Sequence, residues 1–408
     1  MLIFHTADWH LGSQLANHRR APEHQAFLRW LLQQIANHQA NALIIAGDVF
    51  DTTTPPTYAQ ETYFHFLSQL ADLPHFRHAI IVAGNHDSPS FLDAPAPMLS
   101  HLNIHVIGSA KANPADEVIV LKNEFGEDEL IVCAVPYLRE RDVRTSQAGE
   151  SQSDKNQKVI QGTAKHYAET FQAACAIRGE RQIPIVGTGH LFCTSTKNSH
   201  IEQGDGVREL YVGTLNRFPV ELFPAFDYLA LGHLHIPQNI HSNQLIRYSG
   251  SPIQMGFGEC TQQKSITTIQ FERTTPKLDT LSIPVFQRLA KLSGCLKEIQ
   301  QQIADLPDEC VWLEIHYTGA EHIADLRTTL ESRLKNTPHN ILKIRNHHQR
   351  EYMLSQQNET ESLENLDIYQ VFERCLDANH IPLEQRPELQ HRYHDAVKTY
   401  QESEFHQS

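Results

Sequence analysis

The sequence predicts an α/β fold: a largely parallel sheet with a second sheet packed on it, flanked by helices and followed by a smaller α+β segment. Two observations lead there. Through the first hundred residues, apolar runs of strand length alternate with stretches of helical periodicity, a β-α-β-α-β rhythm that calls for parallel strands joined by crossover helices. Beyond that point, strand-like runs at Ile104 to Gly108, Glu117 to Leu121 and Glu129 to Val135 follow one another without a long helix, as a second sheet would.

Met1 to Ala7 alternates toward a strand and ends in the polar cluster Asp8-Trp9-His10. Pro22 to Asn37 places Phe27, Leu28, Leu31, Leu32 and Ile35 at helical spacing and returns the chain to the strand Ala42 to Ala46, which delivers Gly47-Asp48. A helix over Tyr58 to Leu73 then leads to the strand His78 to Ala83 and to Gly84-Asn85-His86-Asp87. Thr145 to Gln157 has no apolar period and reads as a loop before a helix from about Val159 to Ala176. Short strands at Ile183 to Val186 and Tyr228 to Leu231 precede Gly189-His190 and Gly232-His233-Leu234-His235. Ile246 to Pro252 and Ser265 to Phe271 close the first domain, expected over residues 1–275.

From 276 to 350 the pattern becomes strand (Leu278 to Phe286), helix, strand (Cys310 to Tyr317), helix, strand (Ile341 to Asn346), a compact α+β capping domain. Residues 351–408 hold a polar linker and two helices, Asp367 to Ala378 and Leu383 to Glu402, with one apolar stripe each. Such helices either dock on the second domain or take a partner's helices.

Bulk composition narrows the function. With 408 residues, 40% of them hydrophobic, and no apolar stretch of membrane-spanning length, a globular protein of two or three domains is expected, not a membrane protein. The start, MLIFHTADWH, lacks the basic segment and apolar core of a secretory signal, so a cytoplasmic location is expected. Seven scattered cysteines without a C-x-x-C spacing argue against a disulfide framework or zinc knuckle. A net charge of −14 excludes binding nucleic acid by bulk electrostatics, so any DNA contact must be local, metal-assisted or shared with a partner. Arg19-Arg20, Arg139, Arg141, Arg144 and Lys197 lie in loops after strands, but charged loops are usually just solvated.

Collected, the strand ends carry Asp8 and His10, Asp48, Asn85 and His86, His190, and His233 and His235. Singly, each is better explained as a cap, a turn or a core histidine. Together, D-x-H, G-D, G-N-H-D, G-H and G-H-x-H in order do not arise by chance. Residues i and i+2 of an extended segment point the same way, so Asp8 with His10, and His233 with His235, are expected to face one cavity. Imidazole, carboxylate and amide oxygen together suit Mn²⁺, iron or Zn²⁺ better than Ca²⁺. Two divalent ions sharing Asp48 would form the pair that cleaves phosphate esters, roughly 3.5–4 Å apart.

The series ADWHLG, GDVFD, GNHD, GTGH and GHLH resembles the calcineurin-like metallophosphoesterases. The form HTADWHLG, with GHLH and YSGSP later, is similar to the bacterial branch that supplies the nuclease subunit of complexes with an SMC-like ATPase. That resemblance implies a β-sandwich flanked by helices, a capping domain and C-terminal helices that bind the ATPase. It implies Asp8, His10, Asp48 and His235 around one metal, and Asp48, Asn85, His190 and His233 around the other, most often Mn²⁺. Asn85 would also hold the phosphate, and His86 would donate a proton to the leaving oxygen or stabilise its charge. The family divides at Asp51, where this chain has the phosphatase-type aspartate, and an Asp51–His86 dyad is the expectation; Asp51 merely capping the turn at Thr52 to Thr54 is the other reading. Asp87 is expected to support the loop.

The activity so implied is DNA end processing in recombination and repair, on duplex ends and hairpins, as an ATP-dependent double-strand exonuclease and single-strand endonuclease. A homodimer within a heterotetramer is implied as well. The alternative is a small-molecule phosphodiesterase or protein phosphatase on the same site, against which stand Thr52 in place of the phosphatases' arginine and the long C-terminal part. A scaffold with a decayed metal site is disfavoured because no ligand is missing.

Overall fold

The structure is a computed structural model; it describes residues 1–144, 150–194, 217–240, 245–319, 323 and 325–346, with scattered helical positions between 372 and 393. Strands β1 (Leu2–Thr6), β2 (Ala42–Ala46), β3 (His78–Val82) and β4 (Ile104–Ile107) run parallel, and α1 (Ala21–Asn37) and α2 (Thr57–Ala71) make the crossovers between the first three. The chain then builds a second sheet from β5 (Val118–Lys122), β6 (Asp128–Cys133), helix α3 (Gln152–Arg178), β7 (Ile185–His190), β8 (Tyr228–Gly232) and β9 (Ile246–Tyr248). It returns to the first sheet with β10 (Ser265–Glu272) and β11 (Thr275–Ser282). The first sheet has the order β11-β10-β1-β2-β3-β4; the second reads from the short strand Gln238–Asn239 through β9-β8-β7-β6 to β5.

Period-two alternation decides which side chains meet. Ile3, Ala42, Ile44, Ile80 and Val82 of the first sheet share a buried core with Leu130, Val132, Val186, Tyr228 and Ala230 of the second. Phe4, Leu43, Ile45 and Ile81 point the other way, onto Phe27 and Leu31 of α1 and Phe66 and Leu70 of α2. On the far side, Ile131, Ile185, Leu229 and Leu231 pack with Tyr167 and Ala174 of α3. The result is a helix–sheet–sheet–helix sandwich. Strands buried on both faces explain why ALIIA and HAIIV are uninterrupted apolar runs.

Two expectations are revised. Helix α3 begins at Gln152, inside the stretch read as a loop, because Ser151 and Asp154 form a capping box: the Ser151 hydroxyl accepts from Asp154 N at 3.2 Å, and the Asp154 carboxylate accepts from Ser151 N at 3.1 Å. The strand expected over Leu278 to Phe286 does not open the capping domain. Thr275–Ser282 pairs antiparallel with β10 along its whole length and so belongs to the first sheet, and a separate strand, β12 (Arg288–Gly294), follows.

Beyond it lie α4 (Leu296–Ala304), β13 (Val311–Tyr317), α5 (Leu326–Leu334) and β14 (Asn340–Asn346), with a three-stranded sheet of order β12-β13-β14. Most of the two predicted C-terminal helices falls outside the described residues. Where both are described, the rings of Phe372 and Tyr393, one from each predicted apolar stripe, stack 4.0 Å apart.

Candidate metal centre

Every proposed ligand leaves the end of a strand in the middle of the two sheets. Asp8 and His10 follow β1, Asp48 follows β2 and Asn85 follows β3; His190 is the last residue of β7, and His233 and His235 follow β8. The loops after β1 and β2 continue as a pair: Asp8 N donates to Gly47 O (3.0 Å), His10 N to Asp48 O (3.0 Å) and Leu11 N to Val49 O (2.9 Å). The i, i+2 argument for Asp8 and His10 fails, because neither is extended. Both adopt left-handed backbone, with φ of 54° and 45°, a conformation that costs ordinary residues energy and clusters at functional sites. Trp9 between them holds the turn: it is fully buried, edge-on to Phe27 and Phe66, and donates from Nε1 to Thr6 Oγ1 at 3.0 Å.

Close approach explains the glycines. Gly47, at φ 88°, has no room for a Cβ because the His190 ring lies against it, and a Cβ on Gly84 would strike the Asp48 carboxylate. Asp87 ties the two loops together. Fully buried, it accepts from Gly84 N (2.8 Å), Val49 N (3.1 Å) and Phe50 N (2.9 Å), the supporting role expected of it.

The donor atoms gather in two clusters that meet at Asp48. His10 Nε2 lies 3.2 Å from His235 Nε2 and 3.5 Å from Asp48 Oδ2. Suitable atoms of Asp8, His10 and His235 all lie within 4.8 Å of one another. In the other cluster, Asn85 Oδ1 is 3.1 Å from both His190 Nε2 and His233 Nδ1, and His190 Nε2 is 3.3 Å from Asp48 Oδ2. The same Asp48 oxygen therefore faces both groups, while its Oδ1 accepts from His86 N at 2.9 Å.

Tautomers test whether a cation fits. His190 Nδ1 donates to Ala46 O at 2.9 Å, so in the neutral ring Nε2 carries a lone pair aimed at two oxygens, Asn85 Oδ1 and Asp48 Oδ2. Lone pairs packed this closely repel unless a positive charge stands among them. Burial works against a proton on His190, but the Asp48 carboxylate beside it outweighs burial and lifts the pKa to about 9. Burial likewise disfavours charge on His10, and the Asp51 and Asp48 carboxylates override it upward. Burial would raise Asp48, yet His190 and His10 hold it far below the usual carboxylate range. His233, buried and next to His190, is instead lowered to about 3. Imidazole nitrogens, carboxylates and one amide oxygen form a donor set suited to divalent transition ions.

Behind His10 and His235 stand carboxylates that would orient the two imidazoles. Asp51 Oδ1 lies 3.3 Å from His10 Nδ1. Glu259 Oε1 lies 3.7 Å from His235 Nδ1, and Glu259 is itself held by Lys264 Nζ (2.6 Å) and Met255 N (2.9 Å). Burial pushes Glu259 up, but His235 and Lys264 bring it down to about 2. Neither Glu259 nor Lys264 stands out in the sequence. Where a dyad of the Asp51 carboxylate with His86 was expected, His86 Nδ1 lies 3.0 Å from the main-chain Asp51 O, and the carboxylate lies 3.3 Å from His10 Nδ1. Atoms of Asp51, His10 and His86 also lie within 4.8 Å of one another.

Of the basic residues considered for DNA, Arg20 is buried against Glu23 and the Gln254 carbonyl, and Arg144 is paired with Glu140 and Glu150. These two serve the fold. Arg139 Nη2 donates to Asp87 O at 3.3 Å, Arg141 is exposed, and Lys197 lies outside the described residues.

Residues 1–237 match the calcineurin-like phosphoesterase family, and residues 285–380 match a family described as the type 5 capsule protein repressor C-terminal domain. The chain is 36% identical over 405 residues to the D subunit of nuclease SbcCD from Escherichia coli (strain K12), covering 98% of each. To the proteins of the same name it is 32% identical over 275 residues in Rhodobacter capsulatus (66% of each chain), and 30% identical over 333 residues in Bacillus subtilis (79% of this chain, 81% of the relative).

Proposed function

Because the chain belongs to the calcineurin-like phosphoesterases and, within them, to the SbcCD nuclease D subunits, we propose that it is the nuclease subunit of an SbcCD-type complex, cleaving DNA phosphodiesters at duplex ends and hairpins during recombination and repair. The observation that carries this reading is the position of Asp48 Oδ2, 3.3 Å from His190 Nε2 and 3.5 Å from His10 Nε2. One carboxylate oxygen between two imidazole clusters is what a shared ligand of two divalent ions requires.

Asp8, His10, Asp48 and His235 would hold one ion, and Asp48, Asn85, His190 and His233 the other. Mn²⁺, one of the divalent ions that the mixed nitrogen and oxygen donor set suits along with iron and Zn²⁺, is the ion we assign from the family resemblance. Bound there, the ions would supply Lewis acidity to the phosphate oxygens and to a water. The chain's own residues do the rest. His233 N donates to both Asp8 oxygens, at 2.9 and 3.2 Å, which fixes the relative placement of the two clusters. Asn85, on the loop braced by Asp87, orients the phosphate. His86, anchored through its main chain on Asp48 and through Nδ1 on Asp51 O, would pass the Nε2 proton to the leaving oxygen.

The net charge of −14 leaves little capacity for gripping DNA alone, so we assign the clamping of duplex to an SMC-like ATPase bound by the C-terminal residues. We further assign residues 1–275, together with the rest of β11 that completes their first sheet, as catalytic, the remainder of 276–350 as capping and 351–408 as partner-binding, in a homodimer within a heterotetramer. No helix among the described residues is long and apolar enough to cross a membrane, and with DNA as the substrate we assign the protein to the cytoplasm.

The test uses the full chain with Mn²⁺, with and without its ATPase partner, on linear and hairpin-ended duplex, a small phosphodiester and a phosphoserine peptide. Cleavage of both DNAs, with ATP dependence on the linear one, is expected. Peptide hydrolysis without DNA cleavage would return the phosphatase alternative. His86→Ala should keep both ions by calorimetry while DNA cleavage falls about 10²–10⁴-fold; loss of an ion instead would make His86 a ligand.

A further inference from the structure

A cavity of about 310 Å³ opens beside His190 and His233, and its wall continues through Tyr137, Leu138, Ile160 and Leu191, all partly exposed. Sites for small molecules start at about 300 Å³, so the space suits one planar ring system, not a stretch of duplex. Its described lining residues include no lysine or arginine, and Glu140 is the one charged carboxylate among them. A larger cavity, about 400 Å³, between α1 and α2, is lined by none of the donors, and neither is the basic depression around Arg139.

We propose that this cavity is a nucleobase subsite, which receives the unstacked base next to the phosphate being cut. The inference rests on the phosphodiesterase reading and makes it more specific. A phosphorus seated at the donors has two ester substituents, and one that leaves past His190 and His233 would enter this cavity. Water or a sugar–phosphate backbone needs no apolar wall there, whereas a base withdrawn from its stack does, because its faces lose their neighbours. The wall is fixed to the reacting loop: Tyr137 N donates to Ala83 O at 2.8 Å, immediately before Gly84 and Asn85, and the Tyr137 ring stands edge-on to His190 with centroids 6.4 Å apart. Unstacking costs least at ends and in hairpin loops. A base subsite thus supplies a physical reason for cutting there.

The experiment compares methyl p-nitrophenyl phosphate with thymidine 5′-(p-nitrophenyl phosphate), using the full chain and Mn²⁺. The nucleoside ester should show a KM about tenfold lower, in line with the stacking energy of one base. Ile160→Trp and, separately, Leu138→Trp should fill the cavity and erase that advantage while hydrolysis of the methyl ester and Mn²⁺ binding stay unchanged. Calorimetric binding of thymidine 5′-monophosphate against inorganic phosphate gives the same comparison without turnover. Equal KM values for the two esters in the unaltered protein, or an undiminished preference in both filled variants, overturns the subsite. Hydrolysis of a phosphoserine peptide with neither diester cleaved overturns the phosphodiesterase reading instead.

Discussion

Each histidine of the His10–His235 cluster has a carboxylate behind it, Asp51 at 3.3 Å and Glu259 at 3.7 Å, whereas His190 in the other cluster rests on the neutral Ala46 carbonyl. A carboxylate partner fixes the tautomer and raises the basicity of a ligating imidazole. Glu259→Gln and Asp51→Asn should therefore weaken the tighter of two Mn²⁺ binding steps by about 10–100-fold and leave the weaker step unchanged, as read by calorimetry or by the Mn²⁺ electron paramagnetic resonance signal. Equal losses at both steps would mean the two clusters are not distinct sites. The donors themselves were legible from sequence because each follows an apolar strand and most adjoin a glycine or another donor. Glu259 was not. It approaches His235 only after the chain passes the Ser-Gly-Ser-Pro turn, where Ser251 Oγ and His235 O both accept from Lys264 Nζ (3.1 and 2.8 Å), and a long-range contact of single charges leaves no local pattern.

Among the elements, strand β1 buries a histidine in the sandwich. His5 is fully buried with Nδ1 2.9 Å from Tyr228 Oη, and burial, helped by Arg247, lowers its pKa to about 3. The unfolded chain binds a proton near pH 6.5, so the folded state is penalised as pH falls from there toward 3, by up to about 1.4 kcal/mol per pH unit. Urea unfolding of the chelated protein between pH 4 and 7 should show this slope, and His5→Gln should flatten it by about one proton's worth. An unchanged slope would place the titration elsewhere. Strand identity was readable here because ALIIA and HAIIV admit no other element of that length between such helices. Element limits were less readable at two places. The Ser151–Asp154 box is a short polar signal inside a polar stretch, and β11 could not be assigned to its sheet because its alternation, half-buried at best, matches an edge strand of either domain.

At the scale of the whole molecule, the stacked Phe372 and Tyr393 rings mean that the two predicted apolar stripes face each other at that level, which sequence periodicity alone left open. Removing residues 362–408 should abolish binding of the ATPase partner in a pull-down and leave Mn²⁺ affinity unaltered. Retained tight binding would move the interface elsewhere in the chain. The metal centre has a further consequence. Its donors come from the first sheet at Asp8, His10, Asp48 and Asn85 and from the second at His190, His233 and His235, so ions bound there would act as a clasp across the sandwich. Ligand that binds only the folded state adds about 2.7 kcal/mol of stability at a hundred times its Kd. Ambient manganese would then set how long the two sheets stay together, and a cell starved of it would lose the protein to unfolding and proteolysis as well as losing its chemistry.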